Sequence, residues 1–166
     1  MFFKVNLFTR CNYVFLICFA FFLNTDVFAQ NQALFLKISG KLVDNKNKIV
    51  KPFQVSVLEN GIEINAIKCK NGVMNLDFDN DKNYTLIINA KLYKPTIIIV
   101  DTHVPEKKKK EKFRFDFEYK LILENDSVNK EVSELPAAII SYFKDKKGFT
   151  ISEKYNSFIK DLYENK

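Results

Sequence analysis

The 166-residue sequence predicts a mainly β protein: seven short strands in two packed antiparallel sheets, with a helix at the carboxyl end. Three observations carry that expectation. Apolar residues recur every second position through run after run, as half-buried strands require. Turn formers separate the runs, among them Asn60-Gly61 and Asn71-Gly72, whose residues tolerate positive φ. Only the last stretch, Thr150 to Lys166, changes to helical spacing.

The chain opens with an address. Residues 1–29 carry the three parts of a secretory signal: Lys4 and Arg10, then Tyr13 to Leu23, an uncharged apolar run of 11 residues, then Val27-Phe28-Ala29 at the cleavage position. A membrane span needs roughly 20 residues, so the run fits a leader removed after Ala29, with a retained anchor as the alternative. Cys18 follows Phe15-Leu16-Ile17, which lacks the small residue of a lipid-attachment site. No transmembrane span is expected once the leader is gone.

Removal leaves 137 of the 166 residues, the size of one domain. Lys4, Arg10 and Asp26 go with it, taking 26 basic and 20 acidic residues to 24 and 19, a net charge of +5. Basic and acidic residues are interspersed, the pattern of a solvated surface, and no nucleic-acid partner is expected. Of the three cysteines only Cys69 remains, so no intrachain disulfide can form and a hydrophobic core must supply the stability.

The strands follow in order. Leu34 to Val43 alternates through Leu34, Leu36 and Ile38, and Gly40 marks a bulge or a close backbone approach. Asp44 to Lys48 is a polar turn. Phe53 to Leu58 turns Phe53, Val55 and Val57 inward; Asn60-Gly61 reverses the chain and Ile62 to Lys68 returns. Asn71-Gly72 forms a second such turn ahead of Val73 to Phe78. Tyr84 to Ala90 presents Tyr84, Leu86 and Ile88 on one face. Pro95 restricts Lys94 to extended geometry and places the start of the next strand at Thr96. That strand, Thr96 to Asp101, is β-branched nearly throughout and suits a central position covered on both faces. Phe113 to Glu124 alternates Phe113, Phe115, Phe117, Tyr119, Leu121 and Leu123 against four charged residues, so a slip of one residue would bury charge. A closed barrel is the alternative arrangement.

The sandwich is thus assigned to residues 30–124, a polar linker to 125–135, and a carboxyl-terminal extension to 136–166. In the extension Pro136 to Phe143 is apolar and extended, Gly148 breaks it, and Thr150 to Glu153 fits a capping box. Tyr155, Phe158, Ile159, Leu162 and Tyr163 then fall on one helical stripe. Such a stripe usually docks on its own core. It is nevertheless the most suggestive partner-binding surface in the sequence.

The candidates for chemistry are sparse. His103 is the only histidine, with Asp101 two residues before it and no motif placing a nucleophile beside them. Cys69 lacks a neighbouring base in sequence and fits an ordinary strand residue. Asp77, Asp79 and Asp81 have the spacing of the first ligands of a calcium loop, but Lys82 stands where its glycine belongs and Ile88 where its glutamate belongs. Lys107 to Lys112, diluted by Glu111, suits a solvated hairpin tip, with anionic lipid or polysaccharide as the functional alternative. No cofactor, no metal and no catalytic residue are expected.

The segments ISGKLVDNKNKIVKPFQVSVLENG and NGVMNLDFDNDKNYTLIINAKLYKPTIIIVDT resemble carboxypeptidase-regulatory-like (transthyretin-like) β-sandwich domains of exported Bacteroidetes envelope proteins. Gly40, Val43 and Asp44 match the opening of that pattern, Gly72 and Leu76 its middle, Tyr84, Leu86 and Ile88 its hairpin return, and Asp101-Thr102 its close. Leu92-Tyr93 replaces its Gly-Tyr pair. The resemblance implies a Greek-key connection and a non-catalytic module, in the periplasm or at the outer membrane, that binds or scaffolds an envelope protein. The alternatives are a glycan binder using Tyr93 and Tyr119, or a small hydrolase in which Asp101, His103 and Cys69 converge.

Overall fold

The computed structural model describes residues 35–125 and 135–164, the side chains of 163 and 164 excepted. The leader and most of the linker lie outside those residues. Among the described residues there are nine strands: β1 Leu36–Val43, β2 Phe53–Glu59, β3 Ile62–Cys69, β4 Val73–Phe78, β5 Asn83–Ala90, β6 Thr96–Asp101, β7 Phe113–Lys120, β8 Ala138–Phe143 and β9 Gly148–Ile151. Helix α1, Glu153–Glu164, follows.

The strands form a three-stranded sheet, β4-β1-β7, and a six-stranded sheet, β3-β2-β5-β6-β8-β9. Their inner faces share one core. Leu36, Ile38 and Leu42 of β1 and Met74, Leu76 and Phe78 of β4 meet Val55 and Val57 of β2, Leu86 and Ile88 of β5, and Ile98 and Val100 of β6. Fully burying a side chain of this size contributes about 1.5–3 kcal/mol. Gly40 has no room for a side chain: a Cβ there would lie 2.6 Å from Met74 Cε and 2.8 Å from the Phe117 ring. The glycine therefore serves close approach, and the β1–β4 register runs through it without a bulge.

The sheets depart from the expected pattern in three ways. First, they are not wholly antiparallel. β1 pairs β7 in parallel, and β6 pairs β8 in parallel. Second, Pro136–Phe143 is no appendage: it supplies β8, and Gly148–Ile151 turns back as β9, so β5 and β6 sit inside the sheet rather than closing it. β6 is central as expected, but only one of its faces is fully buried. Third, only Asn60-Gly61 makes a tight hairpin, with φ of 51° and 81°. Asn71-Gly72 is instead a corner where the chain crosses from β3 to β4 in the other sheet. Gly72, at φ 85°, is pressed there against Ile49 and the carbonyl of Val50.

Short connections fix the two ends of the sandwich. At one end lie the β2–β3 turn, the β4–β5 loop, the β6–β7 loop and the β8–β9 turn. Phe35, Phe113, Tyr142 and Phe149 pack there edge to face, with centroids 5.3–6.1 Å apart, joining the small sheet to β8 and β9. At the other end lie the β1–β2 loop, the β3–β4 corner and the β5–β6 turn.

Candidate functional site

Helix α1 divides the predicted stripe. Ile159 is buried, and the Tyr155 hydroxyl donates to the carbonyl oxygen of Pro136 at 2.6 Å. Phe158 stays 52% exposed and Leu162 is also exposed; the side chain of Tyr163 lies outside the described residues. One edge of the stripe therefore docks on the chain's own β8 segment while the other faces solvent. The cap also differs from expectation. Thr150 belongs to β9, and Ser152 caps the helix, its Oγ accepting from the Tyr155 N–H at 3.4 Å. Both residues carry hydroxyls; β9 takes up Thr150 and leaves Ser152 as the first free one.

A surface that the sequence did not single out lies at the opposite edge of the large sheet. β3 is the free edge strand, and six of its eight residues are exposed, on both faces. Ile62 is 71% and Ile64 55% exposed. Neither isoleucine joins the core, although Cys69 and Ile67 further along the same strand do. The register slips between Val57 and Leu58, leaving Ile64 as the extra residue of a bulge. The stretch Asn65–Cys69 beyond it pairs regularly with β2 on one side and is open on the other.

The candidate catalytic set does not assemble. Cys69 stands opposite Phe53, which stands opposite Ala90, whereas Asp101 stands opposite Asn83 at the far end of β5. The separation is about 23 Å along the strands and about 14 Å across three strand spacings. Asp101 instead closes a local turn: its Oδ1 accepts from the His103 N–H at 2.9 Å and lies 2.6 Å from Nδ1. Cys69 is buried on the inner face, where desolvation pushes its thiol pKa up, away from the reactive thiolate.

Two of the three aspartates of the partial calcium pattern, Asp79 and Asp81, are engaged by lysines. Lys82 Nζ donates to Glu59 and Asp79, each at 3.1 Å, and the Glu59 bond above all raises the lysine pKa. Lys109 bridges Asp81 and Glu106 at 2.7 Å, which pushes its pKa up to about 12. The Lys107–Lys112 segment is consequently not a hairpin tip; it is the crossing from β6 to β7, partly neutralised by the Lys108–Glu111 pair at 2.6 Å. Tyr93 and Tyr119 are half-buried and packed against the core. Among the described residues no helix is long and apolar enough to cross a membrane.

No protein-family model matches the chain, and no curated protein matches it. Among solved structures, one described as the crystal structure of S.CueP is similar over 53% of this chain and 62% of that chain, with 14% identity and a TM-score of 0.37. The chain spans less than two thirds of that structure's length, and a likeness at this level carries no argument about what the chain does.

Proposed function

We propose that the chain is an exported, non-catalytic β-sandwich that binds or scaffolds a protein of the bacterial envelope, engaging it along the free edge of β3. The observation that supports this reading is the exposure of β3 on both faces, with Ile62 and Ile64 uncovered at a sheet edge. An unpaired edge offers backbone donors and acceptors to an extended segment, and apolar side chains beside it anchor that segment. The bulge at Ile64 limits regular pairing to Asn65–Cys69, with the two isoleucines flanking it.

The kinship to carboxypeptidase-regulatory-like domains, with its Greek-key connection and its place in the periplasm or at the outer membrane, belongs to the same reading. It is supported by the duties of the matched residues: Gly40 at a close approach, Gly72 at the corner, Tyr84 in the core and Thr102 fully buried. The secretory pattern of residues 1–29 supports export.

The test is recovery of a cross-linked partner from the envelope of cells expressing the full chain. Ile62→Lys with Ile64→Lys is expected to lower recovery at least tenfold. Retention by that variant, with loss on Phe158→Ser and Leu162→Ser, would move the site to α1. Recovery of nothing by any form would contradict the reading.

A further inference from the structure

The neighbouring strands dictate which backbone groups of β3 point out from its free edge. In an antiparallel ladder a residue turns both its N–H and its C=O to one neighbour, and the next residue turns both to the other. The Lys82 carbonyl accepts from the Thr102 N–H on the β6 side of β5. By alternation Tyr84, Leu86 and Ile88 also bond to β6, and Thr85, Ile87 and Asn89 bond to β2. Those three stand opposite Leu58, Ser56 and Gln54, which leaves Val57, Val55 and Phe53 to bond to β3. Their partners there are Asn65, Ile67 and Cys69. Ala66 and Lys68 are therefore the residues of this stretch whose N–H and C=O groups are offered at the edge.

That edge is complementary to itself. Turned about a two-fold axis at Ile67, a second β3 sets Ala66 opposite Lys68, Ile67 opposite Ile67 and Asn65 opposite Cys69. Each Ala66–Lys68 pair can then exchange both of its backbone hydrogen bonds. Ile67 falls in the pair whose side chains lie closest, with Cα atoms about 4.5 Å apart. It packs on the core of its own copy, so the two cores would meet through it. Lys68 is the only charged residue of Asn65–Cys69, and it meets Ala66, the smallest side chain of the stretch. The bulge takes up Ile64, so the next residue, Glu63, comes opposite Lys70 of the second copy, a pairing of opposite charges.

Neighbouring registers fail. An axis at Lys68 sets that lysine against itself, an axis at Cys69 sets Lys68 against Lys70, and an axis at Ala66 runs the ladder into the bulge. β7, the longest of the other free edges, fails near its midpoint in the same way: an axis at Asp116 or at Phe117 opposes Asp116 to itself or to Glu118.

We infer that the β3 edge is covered by the β3 edge of a second copy of this chain, antiparallel about Ile67, so that the two large sheets run on as one. The inference rests on the proposed engagement of β3 and names the protein that engages it. A second copy is favoured over an unrelated strand because the edge itself supplies the outward amides, the apolar centre and the charge order that the edge requires. Two-fold closure uses the edge in both copies, so pairing there stops at a dimer.

The experiment uses protein recovered from cells expressing the full chain, with Cys69→Val as the parent. Thiols at paired positions lie within disulfide reach, roughly 4.5–5.5 Å between Cα atoms. Ile67→Cys should oxidise to a dimer with itself, and the parent should not. Ala66→Cys and Lys68→Cys, carrying different tags and mixed, should give mainly the mixed dimer. In sedimentation, Ala66→Lys sets lysine against Lys68 in both pairs and should weaken dimerisation roughly tenfold, whereas Ala66→Lys with Lys68→Glu should restore it. That rescue separates a lost register from a lost fold. Like dimers as abundant as mixed ones, or no rescue by the charge reversal, would overturn the inference. In intact cells, Lys68→benzoylphenylalanine should photo-cross-link to the chain itself. Capture of a different envelope protein alone would overturn the inference and leave the engagement of β3 standing; capture of nothing would contradict both.

Discussion

Thr102 and Lys82 hold each other by three hydrogen bonds: the Thr102 N–H and hydroxyl both donate to the Lys82 carbonyl at 2.9 Å, and the Lys82 N–H donates to Thr102 Oγ1 at 2.9 Å. Thr102 is fully buried, so this reciprocal set fastens the end of β6 to the start of β5 without water. Thr102→Val keeps the shape and leaves the Lys82 N–H unpartnered, a loss of about 1–3 kcal/mol. Thr102→Ser keeps the hydroxyl and should cost about 1 kcal/mol for the missing methyl. Urea titrations of the two variants check the order.

Gly40 supplies a second test. A methyl group there must displace Met74 Cε, which is the end of a flexible chain, and the edge of the Phe117 ring, which is not. Gly40→Ala should destabilise by about 1–3 kcal/mol and Gly40→Val by more, because overpacking costs grow with each added methyl. Thermal melts of the pair measure the difference.

The register of the strands was legible because alternation places charge on one face: β7 carries Arg114, Asp116, Glu118 and Lys120 outward as the sequence requires. Beyond the β2–β3 hairpin, which strands pair was not legible. Asn71-Gly72 has the chemistry of a tight turn whether the chain folds back on itself or crosses to another sheet, and only the packing of Gly72 on Ile49 decides. The β6–β8 pairing joins Ile98 to Ala138, residues far apart in sequence with no turn between them to announce it. The candidate surfaces were hidden for the same reason. Ile62 and Ile64 look like core residues in an alternating run, yet both are exposed while Cys69 of the same strand is buried. The stripe of α1 was legible as a stripe, but not which of its residues would be covered.

Alkaline pH should weaken the fold. Burial raises the pKa values of Cys69 and Tyr84, and the bond to Glu59 raises that of Lys82. Each group holds its proton more tightly folded than unfolded. Their contributions are therefore complete below the unfolded thiol value of about 8.5 and are lost as pH rises through the folded values. The urea midpoint should be flat from about pH 6 to 8 and fall above about pH 8.5, and Cys69→Val should delay the onset. The same burial makes the folded thiol slow to alkylate. A folded protein that alkylates as fast as the urea-unfolded chain would contradict the placement of Cys69.

The docking of α1 is tested at its two polar contacts. Ser152→Ala removes the cap and should cost about 0.5–2 kcal/mol. Tyr155→Phe removes the bond to Pro136 and should cost about 0.5–1.5 kcal/mol. Both changes should speed amide exchange in the helix while leaving β1 to β7 protected, since the core cluster lies between the sheets.

Amide hydrogen exchange of β3, measured on the free protein and on the protein bound to its cross-linked envelope partner, bears most directly on the proposed mode of binding. Addition of a partner strand should slow alternate amides within Asn65–Cys69, those that point away from β2, and leave α1 unchanged. Protection that appears in α1 alone, or a β3 that exchanges identically in both states, would contradict it.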